Sequence, residues 1–130
     1  MKSLTVSSKP ENIALVEKFI DEMRSEINIG DDVYGNILIS ITEAANNAII
    51  HGNQLDENKF VQIGLRCRQN KLIFTVSDEG KGFDPNNVPD PTLEANLECC
   101  GGRGVFIINQ LSHAVRYLNN GSTIKIIFKI

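Results

Sequence analysis

An acid and two amides interrupt an apolar helical stretch, "TEAANNAIIHGN", which runs from Thr42 to Asn53. Glu43 and Asn47 are four residues apart and therefore share one face of a helix. An amide oxygen is a hard ligand that suits a magnesium ion whose other ligands are phosphates and waters. A neighbouring carboxylate can orient or deprotonate an attacking hydroxyl. The same residue types also occur on ordinary solvent-exposed helix faces, so this stretch alone leaves both interpretations open.

A second polar cluster, "SDEGKGF", follows an apolar strand. Asp78 lies where the strand ends, and Gly80 and Gly82 allow the backbone to turn sharply and approach a ligand. The alternative is a plain turn of the kind that Asp and Gly form in many β-proteins.

A third cluster, "GGRGVFII", places glycines at the start of a helix. The free N–H groups and the helix dipole make this a candidate phosphate cradle, to which Arg103 would add a cation. It is not a P-loop, because G-x-x-x-x-G-K-[ST] is absent. A glycine-rich hinge before a helix explains the same letters.

Helical spacing of apolar residues predicts two helices in the first half of the chain. The first begins at "SKPE", with Ser8 as N-cap, Pro10 in the first turn and Glu11 completing a capping box. The second is predicted from about Asp32 to His51, with Gly52 as a left-handed residue after its end.

Alternating apolar residues predict strands around these helices. "LTVSS" reads as an edge strand, "KFVQIGLRCRQN" and "KLIFTVSDEG" as a hairpin, and the last 18 residues as two strands around an Asn-Asn-Gly turn. A segment of low periodicity, about residues 84–101, is predicted to be a lid or binding loop. The order β-α-α-β-β-lid-α-β-β predicts an α+β two-layer sandwich, with a mixed, mostly antiparallel sheet and helices on one face.

The composition fits a single domain covering residues 1–130. The net charge of −3 gives no basic footprint for nucleic acid, and no apolar run is long enough to cross a membrane. The three cysteines, Cys67, Cys99 and Cys100, have no zinc-site spacing. Their odd number and the absence of a signal peptide predict a reducing, cytoplasmic location.

The three clusters, in this order, resemble the ATP-binding fold shared by gyrase, heat-shock chaperones, histidine kinases and mismatch-repair ATPases. "EAANNAIIHGN", "DEGKGFDP" and "GGRGVFII" look more closely like the bacterial anti-sigma-factor serine/threonine kinases, its single-domain branch. The resemblance covers nearly the whole chain. The lid pair Cys99–Cys100 departs from the expected pattern and has no role that the resemblance implies.

The resemblance implies roles for individual residues. Glu43 matches the general base, and Asn47 matches the asparagine that coordinates Mg²⁺. Asn46 is carried over only as a neighbour of that asparagine. Asp78 matches the acid that accepts a hydrogen bond from the adenine amino group of ATP.

The remaining matches surround the nucleotide. Gly80 and Gly82 would shape the adenine pocket, and Thr123 would reach adenine through water. The second glycine box would wrap the phosphates; it comprises Gly102, Arg103, Gly104 and Val105.

The resemblance thus predicts an ATP-dependent serine protein kinase that switches partners. It would phosphorylate a STAS-type anti-anti-sigma protein and sequester a sigma factor, and homodimerisation is expected from the family alone. An ATP-binding regulatory module without phosphotransfer is the alternative. A free-standing nucleotide hydrolase is a third reading, which the lack of an acceptor makes the least attractive.

Overall fold

The computed structural model describes residues 2–80 and 102–130, and the predicted lid and its cysteines lie outside them. Five strands and three helices follow the predicted order. They are β1 (Lys2–Ser7), α1 (Ile13–Glu26), α2 (Asp31–Asn47), β2 (Phe60–Arg68), β3 (Lys71–Ser77), α3 (Gly102–Leu111), β4 (Ala114–Leu118) and β5 (Thr123–Lys129).

The strands form one sheet in the order β1-β2-β3-β5-β4, with β1 at an edge as predicted. All four pairings are antiparallel, so the parallel component of the predicted mixed sheet is wrong for the described strands. The reason lies in the return of the chain after α3. Strands β3 and β4 run in the same direction, but β5 inserts between them and pairs with both.

Both predicted hairpins are present, and their turns have the backbone that the sequence suggested. Gln69 and Asn70 join β2 to β3 with φ of 51° and 61°, as a tight turn between right-twisted strands requires. Asn119 and Asn120 join β4 to β5 with φ of 53° and 59°, and Gly121 follows at 91°.

The helices cover one face of the sheet, and the core lies between the two layers. Alternate strand residues such as Ile63, Phe74 and Ile126 are fully buried against Ile20 and Ile41 of the helices. The Phe74 and Phe128 rings meet edge to face with centroids 6.0 Å apart. None of the helices in the described ranges has the length and apolar character that crossing a bilayer requires.

The predicted cap of the first helix is wrong. A 3₁₀ turn (Pro10–Asn12) precedes α1, and neither of the residues at the N-cap positions, Lys9 and Asn12, makes a side-chain capping bond. The Ser8 hydroxyl instead donates to the Lys59 carbonyl at 2.8 Å. Ser8 is buried, so its hydroxyl serves the junction between β1 and β2 rather than the helix.

The end of the second helix also differs from prediction. After Asn47 the helix widens into a π-helical turn (Ala48–Gly52). Gly52 does not have positive φ, whereas Gln54 and Leu55 do, at 53° and 61°. The residue with left-handed backbone that ends the helix therefore comes two positions later than predicted. The glycine at position 52 must be needed for another reason.

Candidate functional site

Glu43 and Asn47 lie beside the first turn of α3. Both side chains are half-buried on the face of α2 that packs against that helix. A Cβ added to Gly104 would lie 2.6 Å from Asn47 Nδ2 and 3.1 Å from Glu43 Oε2. The structure thus brings an acid, an amide and a helix N-terminus together, which is a combination suited to a phosphate chain and a hydroxyl nucleophile.

The donor set at this point fits a magnesium ion bound mainly through phosphates. The described residues contain no cluster of three or more His, Cys, Asp or Glu side chains that would cage a metal by themselves. Mg²⁺ in phosphoryl-transfer sites commonly takes one or two protein oxygens and completes its shell with phosphates and waters. One amide oxygen, from Asn47, meets that requirement beside the α3 N-terminus.

The second part of the site forms where the end of the α2 π-turn meets the end of β3. A Cβ on Gly52 would overlap the Asp78 carboxylate, lying 2.8 Å from Oδ1. A Cβ on Gly80 would collide with the Gly52 backbone, 2.6 Å from its carbonyl carbon. Both glycines are therefore required by close backbone approach within the chain. Sequence reasoning had predicted that Gly80 approaches a ligand, and it missed a packing role for Gly52.

The Asp78 carboxyl group is held in a defined position and is partly desolvated. The Gly80 N–H donates to Asp78 Oδ1 at 2.8 Å, and the Asp78 N–H donates to the Ser122 carbonyl at 2.9 Å. Burial raises the pKa of Asp78 above its ordinary value, while the Gly80 N–H and the charge of Lys59 oppose that rise. A hydrogen-bond acceptor that is held in place and partly shielded from water is suited to binding a ligand amino group.

Thr123 lies next to this aspartate across the sheet. It is paired with Ser77, the residue before Asp78, and is 8% exposed. Its hydroxyl donates to Ser77 Oγ at 3.1 Å and accepts from Asn119 Nδ2 at 3.2 Å. Thr123 and Asp78 are therefore neighbours at this end of the sheet.

Asn53 joins three chain segments beneath the Asp78 turn and was missed as a site residue. It is 1% exposed. Its Nδ2 donates to Ser8 Oγ at 2.8 Å and to the Phe60 carbonyl at 3.1 Å, and its Oδ1 accepts from the Glu79 N–H at 2.7 Å. The sequence signalled only a helix end here, because these partners lie 7 to 45 positions away along the chain.

The other predicted site residues are placed only in part. Asn46 is half-buried, and its side chain makes no hydrogen bond to another described residue. Gly102 and Arg103 open α3, with Val105 in the same first turn. The side-chain surroundings of Arg103 lie outside the described part, as does Gly82.

Comparison with known proteins finds a family model that covers almost the whole chain. The family model described as the histidine kinase-like ATPase domain matches residues 6–128. The chain resembles a histidine kinase domain from the blue-light activated histidine kinase of Erythrobacter litoralis EL346, with a TM-score of 0.61 and 17% identity. That match covers 92% of this chain but only 60% of the solved one, and it supports the fold alone.

Curated relatives include serine-protein kinases and an anti-sigma factor. The serine-protein kinase RsbW of Bacillus subtilis (strain 168) is 26% identical over 125 residues, which cover 90% of this chain and 77% of the relative. The anti-sigma F factor of Clostridium perfringens is 29% identical over 77 residues, covering 59% of this chain and 55% of that protein.

Proposed function

Because the chain belongs to the histidine kinase-like ATPase domain family, we propose that it is an ATP-dependent protein serine kinase that regulates transcription by partner switching. Its protein substrate is a STAS-type anti-anti-sigma protein, and its second partner is a sigma factor. We place this activity in the cytoplasm, where those partners work. Relatives named serine-protein kinase RsbW and anti-sigma F factor support this choice of activity and partners.

The observation that carries the proposal is the meeting of Glu43, Asn47 and Gly104. Phosphoryl transfer depends on positioning and on neutralising charge more than on covalent catalysis. Glu43 accepts the proton of the incoming serine hydroxyl, and the α3 N–H groups from Gly102 onward hold the phosphates. Asn47 would hold Mg²⁺, which when bound neutralises the triphosphate.

The Asp78 end of the site supplies nucleotide selectivity. Its carboxylate accepts a hydrogen bond from the amino group of adenine. Guanine presents a carbonyl oxygen at the same place, so two acceptors would face each other without a proton between them. Thr123, which pairs with the residue before Asp78, adds a water-mediated contact to the same base in this proposal.

Transfer of radiolabel from γ-labelled ATP to the serine of a purified STAS-type antagonist tests the proposal. We expect label with the native chain and loss of most of it with Glu43→Ala, since general-base assistance contributes about 10²–10⁴-fold. Glu57→Ala is the matched control, because Glu57 is exposed in the loop before β2.

Absence of serine label in the native chain, with Glu43→Ala no worse, would rule out the kinase. If calorimetry then showed ATP binding without turnover, the chain would be the alternative: a regulatory interaction module whose pocket sets a conformation. Lack of ATP binding altogether would exclude both functions.

A further inference from the structure

The sheet carries charge of one sign only. Every charged residue in the five described strands is basic, although the chain as a whole has a net charge of −3. These residues are Lys2, Arg66, Arg68, Lys71, Arg116, Lys125 and Lys129. The acids are concentrated elsewhere, and α1 and the start of α2 carry six of them, from Glu17 to Asp32. The two layers of the molecule therefore differ in electrostatic sign.

All but one of these cations point away from the helices. The exception, Lys2, lies on the helix side and forms a salt bridge with Glu26. The five in β2, β3 and β5 alternate with the helix-side residues of their strands, such as Leu65, Leu72 and Phe128, so they project from the uncovered side of the sheet. Arg116 projects from the same side because it is the cross-strand partner of Lys125. We call this surface the basic sheet face; it comprises Arg66, Arg68, Lys71, Arg116, Lys125 and Lys129.

The register places these like charges directly beside one another. Arg68, Lys71 and Lys129 form one row across β2, β3 and β5. Lys125 and Arg116 are partners across β5 and β4. Like charges directly opposite one another destabilise a sheet. No member of the face makes a salt bridge with any residue in the described ranges, so this repulsion is not offset there.

An apolar strip lies between the two charged rows. Ile73 and Ile127 are paired across β3 and β5, and both are half-buried on the uncovered side. Arg66 is the partner of Ile73 on its other side. An apolar centre within a charged rim is the usual organisation of a protein–protein contact.

We propose that the basic sheet face is a docking surface for a protein partner that presents acidic side chains around a small apolar patch. Carboxylates of such a partner would lie against the two rows of cations and relieve their repulsion, while its apolar side chains would cover Ile73 and Ile127. Of the proposed nucleotide site, Glu43, Asn47 and Gly104 lie on the helices, and Asp78 and Thr123 lie at strand ends, outside the basic sheet face.

Two other occupants fit the surface less well. Single-stranded nucleic acid binds sheets through platforms of several aromatic side chains. Phe74, Tyr117 and Phe128 lie on the helix side, and the one strand aromatic on the uncovered side in the described ranges, Phe60, is six residues before Arg66 at the start of β2. A second copy packed face to face would oppose the same six cations to themselves, because a twofold contact pairs identical surfaces.

Binding of fluorescent oligoglutamate, with oligothymidylate of equal charge as a competitor probe, tests the proposal. The key variant is Lys71→Glu combined with Lys129→Glu, which reverses two of the three charges in one row. Lys9→Glu combined with Lys18→Glu is the matched control off the sheet. We expect oligoglutamate to bind the native chain, to weaken as salt rises, and to lose about tenfold or more in affinity in the sheet variant. The control pair should change affinity by less than about twofold.

Three outcomes would overturn the proposal. The first is equal loss in both double variants, which would indicate general charge attraction. The second is tighter binding of oligothymidylate, which would assign the face to nucleic acid. The third is concentration-dependent self-association in sedimentation that the sheet variant alone abolishes, which would make the face a contact between copies. Circular dichroism of both variants establishes that they are folded.

Discussion

Gly52 and Asp78 lie so close together that the end of the α2 π-turn and the end of β3 leave no room for a side chain between them. This contact connects the helix that carries Glu43 and Asn47 to the strand end that carries the proposed adenine acceptor. The Gly52–Asp78 contact therefore positions the two halves of the site relative to each other. Substitutions at this contact should lower nucleotide affinity.

Gly52→Ala should lower ATP affinity by about 10-fold to 100-fold, because the new methyl group displaces the Asp78 carboxylate, and small misplacements at a site are costly. Calorimetric titration with ATP and Mg²⁺ measures the change. Gly35→Ala is the matched control, since a Cβ at Gly35 meets nothing within 4 Å. Gly35 lies inside α2, so that control should bind ATP normally and gain about 0.5–1 kcal/mol of stability. Equal ATP affinity in both variants would refute the role of the Gly52–Asp78 contact.

Asp78→Asn should weaken ATP binding by about 1–3 kcal/mol, because it replaces a charge-assisted hydrogen bond at a partly buried position. Unchanged affinity for ATP would place the adenine contact on another residue. GTP should remain a poor ligand of the native chain.

The same substitution should change the pH dependence of the nucleotide-free protein. Burial raises the pKa of Asp78 in the folded chain above its ordinary value of 3.8. The stability that this carboxyl contributes is therefore complete below that ordinary value and is lost as pH rises through the folded value. Asp78→Asn should consequently have a higher Tm than the native chain at neutral pH, with a difference that shrinks as pH falls toward about 4. A constant difference across that range would contradict the pKa assignment.

Asn47→Ala should abolish the tightening of ATP binding by Mg²⁺ while leaving metal-free ATP binding within about twofold, because one amide oxygen is the protein ligand we assign. Gly104→Ala should weaken the same magnesium effect, since its methyl group would displace the Asn47 amide. Titrations with and without EDTA measure both variants. Full magnesium dependence in Asn47→Ala would exclude the assignment.

Asn53→Ala should cost about 1–3 kcal/mol of unfolding free energy, because it leaves the Glu79 N–H and the Phe60 carbonyl without their buried partner. It should also weaken ATP binding, since the Glu79 N–H that Asn53 binds lies in the middle of the Asp78–Gly80 turn. Urea denaturation gives the stability change. Asn58→Ala is the control, because Asn58 is exposed and its side chain makes no bond to a described residue.

The amino-acid sequence by itself determined the elements of this protein and the identity of most of its candidate site residues. Apolar periodicity, the Gln69-Asn70 and Asn-Asn-Gly turns and the glycine-opened helix are local signals, because backbone preference and side-chain alternation act over a few residues. Glu43, Asn47, Asp78 and Gly104 became candidates because their three clusters, taken in order, resemble the motifs of a known ATP-binding fold, whereas each cluster alone left a structural alternative open.

Only the tertiary structure decided which distant residues meet. Three features depend on partners far along the chain: the close approach of Gly52 to Asp78, the hydrogen bonds of Asn53, and the bond that Ser8 makes to Lys59 in place of a helix cap. The fully antiparallel sheet depends on where β5 inserts, and the basic sheet face appears only once register aligns Arg68, Lys71 and Lys129 in one row. Packing and strand pairing set these relationships through non-local contacts, for which no single stretch of sequence carries a signal.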